Sequence, residues 1–288
     1  MTEQFSNIAI LGGGLLGGSL ALALGALIAP PRVRLWARRS ATLEEAQSRG
    51  ITGATGSLAE AVADAELLVL AVPVGGMPDL LAAALAAGLP DHCLVTDVGS
   101  VKQLPHQLLA PLLAARGISF IGSHPMAGSE QFGIAAANPR LFEGAACLLT
   151  NDAKVPPPLT DRLEAFWQQV GCETTWLGAA AHDALVARIS HLPHILAASG
   201  ARVCLADPDL GRFSGGGLRD TTRVAAGNPE MWTEILLENR AAIIGPLRES
   251  IADLSEFLDL LESAAHDPAH VWLATAKQRR DSLLPASP

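Results

Sequence analysis

Ile8-Ala9-Ile10-Leu11 runs directly into Gly12-Gly13-Gly14-Leu15-Leu16-Gly17 and then into the apolar stretch at residues 20–27. A short buried strand, a Gly-x-Gly-x-x-Gly turn and an apolar helix in that order form the fingerprint of a dinucleotide-binding βαβ unit. Gly12 permits the tight turn, Gly14 lets the backbone approach a pyrophosphate, and Gly17 lets the helix pack closely on the sheet. The first helical turn at Leu15 and Leu16 then offers its unpaired N–H groups to the phosphates.

The pattern continues outward from this turn. Residues 33–36, 67–72, 94–98 and 118–121 read as short apolar strands, and residues 43–49 and 77–87 as helices between them. Strands alternating with helices at this spacing predict a mostly parallel sheet covered on both faces, a Rossmann-type α/β domain. Residues 145–150 read as a further strand, 152–158 as a loop, and 160–170 as a helix. Beyond Gly178 the pattern turns helical, over residues 181–205, 231–261 and 270–284. Residues 213–217 read as a flexible or closely packed connector, and Gly245-Pro246 is expected to kink or interrupt the longest helix. The expected organisation is a dinucleotide-binding domain at residues 1–177 and an all-helical domain at 178–288. The latter carries more apolar residues than one layer needs, so part of it is expected to form a subunit interface and the chain a homodimer.

Composition narrows the partners. The net charge is −9, from 20 basic and 29 acidic side chains, which argues against a nucleic-acid surface. No basic segment precedes the first apolar run, and the glycine turn interrupts that run. Neither a signal peptide nor a membrane span is expected, and a cytoplasmic location is. Cys93, Cys147, Cys172 and Cys204 are dispersed without metal-ligand spacing and read as buried reduced thiols.

The second strand of an NAD site usually ends in a carboxylate that binds the ribose hydroxyls. Here Arg38-Arg39-Ser40 occupies that place, and the first carboxylate is Glu44. Two guanidinium groups and a hydroxyl suit a 2′-phosphate, and Arg38 could also stack on adenine. NADP is therefore the expected cofactor, with NAD the alternative; a solvated basic turn is the bland reading of the same residues. Val72 and Pro73, in Ala71-Val72-Pro73-Val74, and Ser100, in Asp97-Val98-Gly99-Ser100-Val101-Lys102, follow later strands and should meet the nicotinamide end.

His124, in Gly122-Ser123-His124-Pro125, reads as part of a rigid loop after a strand. An imidazole there could accept a carbinol proton while hydride leaves the same carbon. Lys102 is either a proton or charge partner, or a helix-start lysine held by a carboxylate. His191 and His194 share a helix face; core or pocket-lining roles fit them better than a metal site, for no acidic or cysteine cluster accompanies them. In the run Arg219-Asp220-Thr221-Thr222-Arg223, Asp220 is expected to pair with an arginine. Arg223 is left to hold a substrate carboxylate or to form a domain-interface salt bridge.

These motifs together resemble the prephenate dehydrogenase family, which includes arogenate and cyclohexadienyl dehydrogenases. The resemblance rests on the fingerprint, Asp97 to Lys102, the stretch from His124 to Gly133, His182-Asp183, Ser190-His191-Leu192-Pro193-His194, Arg219 to Arg223 and Asn228-Pro229-Glu230-Met231-Trp232. It implies oxidative decarboxylation of prephenate to 4-hydroxyphenylpyruvate, with arogenate an open second substrate, in an active site between the two domains. His124 would take the ring hydroxyl proton, with Ser100 hydrogen-bonded nearby, and Arg223 would clamp a substrate carboxylate. His182, His191, His194 and Trp232 match pocket-lining positions, and Ser129 and Glu130 lie on the same substrate loop, Glu130 at a polar gate. The basic turn at Arg38-Arg39 departs from the acidic residue that many members carry. A β-hydroxyacid dehydrogenase would need a catalytic lysine in a helical motif that has no counterpart here. A non-catalytic NADP sensor is opposed by the presence of Ser100, His124 and Arg223.

Overall fold

The structure is a computed structural model that describes residues 4–128 and 131–283. Strands β1 (Asn7–Leu11), β2 (Arg32–Trp36), β3 (Ala54–Thr55), β4 (Leu67–Leu70), β5 (Leu94–Asp97) and β6 (Ser119–Phe120) form one sheet in the order β3-β2-β1-β4-β5-β6. Every neighbouring pair is parallel. Because side chains alternate across a strand, Ile8 and Ile10 enter one core while Ala9 and Leu11 enter another. Helices α1 (Leu15–Gly25) and α2 (Ser40–Ser48) cover the first face. Helices α3 (Leu58–Val62), α4 (Met77–Ala86) and α5 (Gln103–Ala114) cover the second. Burial on both faces explains why β1 and β4 read as unbroken apolar runs. The strand order reverses between β1 and β4, and the crevice beyond their carboxyl ends is where such sheets take ligands.

Residues 118–125 depart from the expected strand followed by a loop. The chain leaves the first sheet at Ile121 and starts a second, three-stranded sheet with β7 (Gly122–Pro125), β8 (Ala146–Thr150) and β9 (Glu173–Leu177). β7 is antiparallel to β8, which is parallel to β9, and α6 (Leu159–Gln169) links the last two. His124 thus lies within a strand, opposite Leu148. The missing side chain at Gly122 makes the crossing fit: a Cβ there would stand 2.4 Å from Thr150 Oγ1 and 2.8 Å from Lys102 Cδ.

The remainder of the described chain is helical. α7 (Ala179–Val186) passes through one π turn, Ala187–His191, into α8 (Leu192–Cys204). Then follow α9 (Gly216–Thr222), α10 (Pro229–Glu238), α11 (Arg240–Glu262) and α12 (His266–Asp281). Gly216 and Gly217, expected in a connector, open α9, and Arg219 is helical too. Pro246 sits inside an unbroken α11, and the long helix is interrupted at Asn239 instead. There a buried side chain makes tertiary hydrogen bonds that outweigh a continuous helix. Cys93, Cys147 and Cys172 are buried, but Cys204, at the end of α8, is exposed, contrary to expectation. No helix among the described residues is long and apolar enough to cross a membrane.

Candidate active site

The glycine turn is shaped by two blocked positions and one open position. A Cβ on Gly12, which has φ +132°, would meet Ala71 O at 2.2 Å, and one on Gly17 would meet Gly12 O at 2.0 Å. Nothing lies within 4 Å of a Cβ on Gly14, so the space above the start of α1 is free for a ligand. Gly14 caps α1 without a side-chain hydrogen bond, which leaves the helix dipole and the first-turn amides of Leu15 and Leu16 facing that space. Val72 packs against Gly12, and Pro73 follows it at the carboxyl end of β4. These residues fit a dinucleotide pyrophosphate. Arg38, Arg39 and Ser40 are exposed just beyond β2, with Arg39 capping α2 and Ser40 in its first turn. Neither arginine forms an ion pair among the described residues.

The second sheet and α7 bring His124 and His182 together, His124 Nδ1 lying 2.9 Å from His182 Nε2. His182 Nδ1 is in turn 2.8 Å from Asp183 Oδ1. The carboxylate also receives the backbone N–H of Lys102 at 2.7 Å and of Gln103 at 3.0 Å, at the start of α5. An ionised carboxylate only accepts, so His182 carries its proton on Nδ1 and accepts at Nε2. His124 must then donate from Nδ1, and the neutral ring keeps its lone pair on Nε2. The relay therefore orients a base.

The charge states agree with that relay. Burial opposes ionisation of Asp183, but the hydrogen bond from His182 and the two amides outweigh it and hold the carboxyl below its ordinary value. Burial pushes His124 well below the usual imidazole range, and the positive charge of Lys102 pushes it further. His182 is also lowered by burial, against the carboxylate beside it. Lys102 itself is fully buried, with Nζ 2.5 Å from Asp97 Oδ2. It is thus the helix-start lysine held by a carboxylate. Asp97 also accepts the backbone N–H groups of Gly99 and Ser123, so one buried carboxylate ties the end of β5 to β7.

His191 and His194 project from the π turn and α8 toward Trp232 of α10. His194 stacks on the indole with centroids 3.6 Å apart, and His191 meets it edge-on at 6.2 Å. His194 Nδ1 is buried and without a hydrogen-bond partner among the described residues. Arg223 opens a short 3₁₀ turn, Arg223–Ala226, that packs against α8 and leads to Gly227, packed on Trp232. The expected pairing of Asp220 is not seen: no ion pair joins it to Arg219 or Arg223 among the described residues. Ser100 is half-buried after β5, and no hydrogen bond joins it to His124. Ser129 and Glu130 lie outside the described residues.

Two residues with no assigned role in the sequence prove central. Asp183 was visible only as the neighbour of His182, and nothing local shows that it reaches α5. Asn239 is buried, and its Nδ2 lies 2.9 Å from Asp183 O and 3.0 Å from His191 Nδ1. Beside it, half-buried Glu238 lies near Gly75, past the end of β4. Burial and then the Glu234 carboxylate raise its pKa to about 7.

Two family models match this chain. Residues 21–175 match the nucleotide-binding domain of prephenate dehydrogenase, and residues 178–275 match its dimerization domain. The chain is 33% identical to a cyclohexadienyl dehydrogenase of Zymomonas mobilis over 91% of each chain. It is 32% identical to a prephenate dehydrogenase of Bacillus subtilis over 98% of this chain and 77% of that one. Among solved structures, prephenate dehydrogenase from A. aeolicus in complex with hydroxyphenyl propionate and NAD+ superposes with a TM-score of 0.86. That alignment has 28% identity and covers 97% of this chain and 98% of the other. A cradle for a dinucleotide, an oriented neutral histidine and these matches place one conclusion beyond the fold: the chain belongs to the prephenate dehydrogenase family, whose members are oxidoreductases.

Proposed function

We propose that this chain converts prephenate to 4-hydroxyphenylpyruvate and carbon dioxide, with NADP as the hydride acceptor. The observation that carries the chemistry is the Asp183–His182–His124 relay, which leaves a neutral imidazole with its lone pair on Nε2. His124 Nε2 takes the proton of the ring C4 hydroxyl while the C4–H bond breaks. When bound, the nicotinamide accepts that hydrogen with its electron pair. Breaking the bond to the ring carboxylate then sends its electrons into the ring, carbon dioxide leaves, and His124 returns its proton to the phenol oxygen. His182 and Asp183 stabilise the imidazolium while it carries the proton. Aromatisation drives the decarboxylation.

Arg223 supplies the cationic clamp for a substrate carboxylate, beside the His194–Trp232 stack, and Ser100 contacts the substrate hydroxyl as the site fills. Ser129 and Glu130 are the further residues assigned to the substrate. Arg38, Arg39 and Ser40 hold the 2′-phosphate, which favours NADP over NAD. The helical region forms the homodimer: Ile251, Leu254, Leu258 and Leu261 of α11 are each more than half exposed and recur at a spacing of three and four, forming one apolar face.

The test is a set of initial rates of nicotinamide reduction with prephenate or arogenate and NADP or NAD. A dominant prephenate–NADP rate is expected. A dominant NAD rate would overturn the cofactor reading, arogenate preference the substrate reading, and no turnover from folded protein the enzyme reading.

A further inference from the structure

We propose that Asn239 is a positioning residue that sets the tautomer of His191, so that His191 presents its Nε2–H as a donor to an oxygen of the anionic substrate. The substrate half of this inference rests on the dehydrogenase reading above.

Asn239 lies at the break between α10 and α11 and is only 3% exposed. The carbonyl oxygen of Asp183 can only accept, so the side-chain group facing it at 2.9 Å is the NH₂ and not the amide oxygen. The same nitrogen lies 3.0 Å from His191 Nδ1, and its second N–H is directed there. His191 Nδ1 therefore keeps its lone pair. In a neutral ring the proton must be on Nε2. Burial pushes the His191 pKa down to about 4, so near neutral pH the ring is uncharged and its tautomer alone decides what it can do.

The other end of the ring points to a ligand. His191 is 1% exposed, yet no hydrogen bond of its Nε2 exists among the described residues. Nε2 is not sealed from solvent, so a donor there, with no protein acceptor, is open to an arriving carboxylate or keto oxygen. The neighbours fit such a visitor: Trp232 borders the ring edge-on, and Arg223 stands on the turn that packs against α8. Asp183 thus governs three histidines. Its carboxylate sets His182 and through it His124, and its carbonyl sets Asn239 and through it His191.

Nitrogen-15 histidine-labelled protein, without substrate or cofactor, gives a direct readout. Two-bond proton–nitrogen correlation should show His191 protonated on Nε2 in the wild type. Asn239→Asp offers only acceptors, so the His191 proton should move to Nδ1 and the ring should titrate at higher pH. Asn239→Ala should leave a mixture of tautomers. A wild-type proton on Nδ1, or an unchanged tautomer in both variants, overturns the assignment. In steady state, Asn239→Asp should raise the KM for prephenate about tenfold with kcat within about threefold, as expected when one bond to substrate is lost. His191→Gln, which keeps an N–H, should recover most of the KM that His191→Leu loses. An unchanged KM, or no difference between Gln and Leu, removes the substrate role. Failure of the wild type to turn over prephenate or arogenate would refute the dehydrogenase reading and with it the substrate role. It would leave the tautomer result standing, because that is read on substrate-free protein.

Discussion

Asp183→Asn is the change that reaches furthest into this site. The carboxylate accepts from Lys102 N, Gln103 N and His182 Nδ1, and it compels the imidazole to donate to it. An amide has one accepting oxygen for these donors. Oδ1 takes both Lys102 N and His182 Nδ1, and Oδ2 takes Gln103 N, so one amide orientation sets the NH₂ against Gln103 N–H and the other against Lys102 N–H and His182 Nδ1. In the second, His182 accepts at Nδ1 and donates from Nε2, His124 accepts at Nδ1, and the nitrogen that should act as base is already protonated. In both, the negative charge that stabilises the imidazolium is gone. Loss of a positioned general base costs about 100- to 10,000-fold in rate, or roughly 3–5 kcal/mol of barrier. Hydrogen bonds to a charged acceptor contribute about 1.5–3 kcal/mol each, so losing the charge should also lower folding stability by roughly 2–4 kcal/mol. The sign with pH is definite. Asp183 has a depressed folded pKa, so its contribution is present above the unfolded value of about 4 and is lost as pH falls through the folded value. The variant should lose this part of the acid dependence. Initial-rate kinetics on protein shown by circular dichroism to be folded, with urea unfolding at pH 7 and pH 4, measures each effect. A kcat within threefold of wild type would refute the relay.

Arg223→Ala should raise the KM for prephenate at least about tenfold with a smaller change in kcat, since a charge-assisted bond to a carboxylate is lost; an unchanged KM would return Arg223 to a structural role. Arg38→Asp should weaken NADP and shift preference toward NAD, read as the ratio of kcat/KM for the two cofactors. Leu254→Glu, placed in the exposed α11 stripe, should turn the dimer into monomer by sedimentation. His124, His182 and His191 are held neutral by burial, with pKa values below that of a free imidazole. Unfolded protein therefore binds more protons below about pH 6.5, and urea stability should climb between pH 4 and pH 6.5. For His191 alone, a shift from 6.5 to about 4 corresponds to about 3 kcal/mol over that window.

The nucleotide domain was legible in the residues because its signals are local. β1 and β4 are short apolar runs because both faces are covered, and Gly12, Gly14 and Gly17 are spaced by the geometry of one turn. β9 left a signal in Glu173-Thr174-Thr175-Trp176-Leu177, rich in β-branched and aromatic residues, although its partner lies 27 positions earlier. The crossing at Ile121 had no such signal. Whether residues 122–125 form a loop or a strand depends on β8, which follows them by more than 20 residues.

What the sequence by itself determined is the chemistry on offer: a dinucleotide turn, basic residues beyond β2, a set of histidines and an arginine for an anion. Those depend on residue type and short spacing. Only the tertiary structure decided how the histidines are linked to one another and which nitrogen of each carries its proton. Asp183 reaches Lys102 and Gln103, 81 and 80 positions away, and Asn239 reaches back to Asp183 and His191 across 56 and 48. The helix break at Asn239 belongs to the same cause. Its local alternative, a continuous helix through Asn239 interrupted at Gly245-Pro246, lost to two buried hydrogen bonds that exist only once the helices beyond Gly178 have packed on one another.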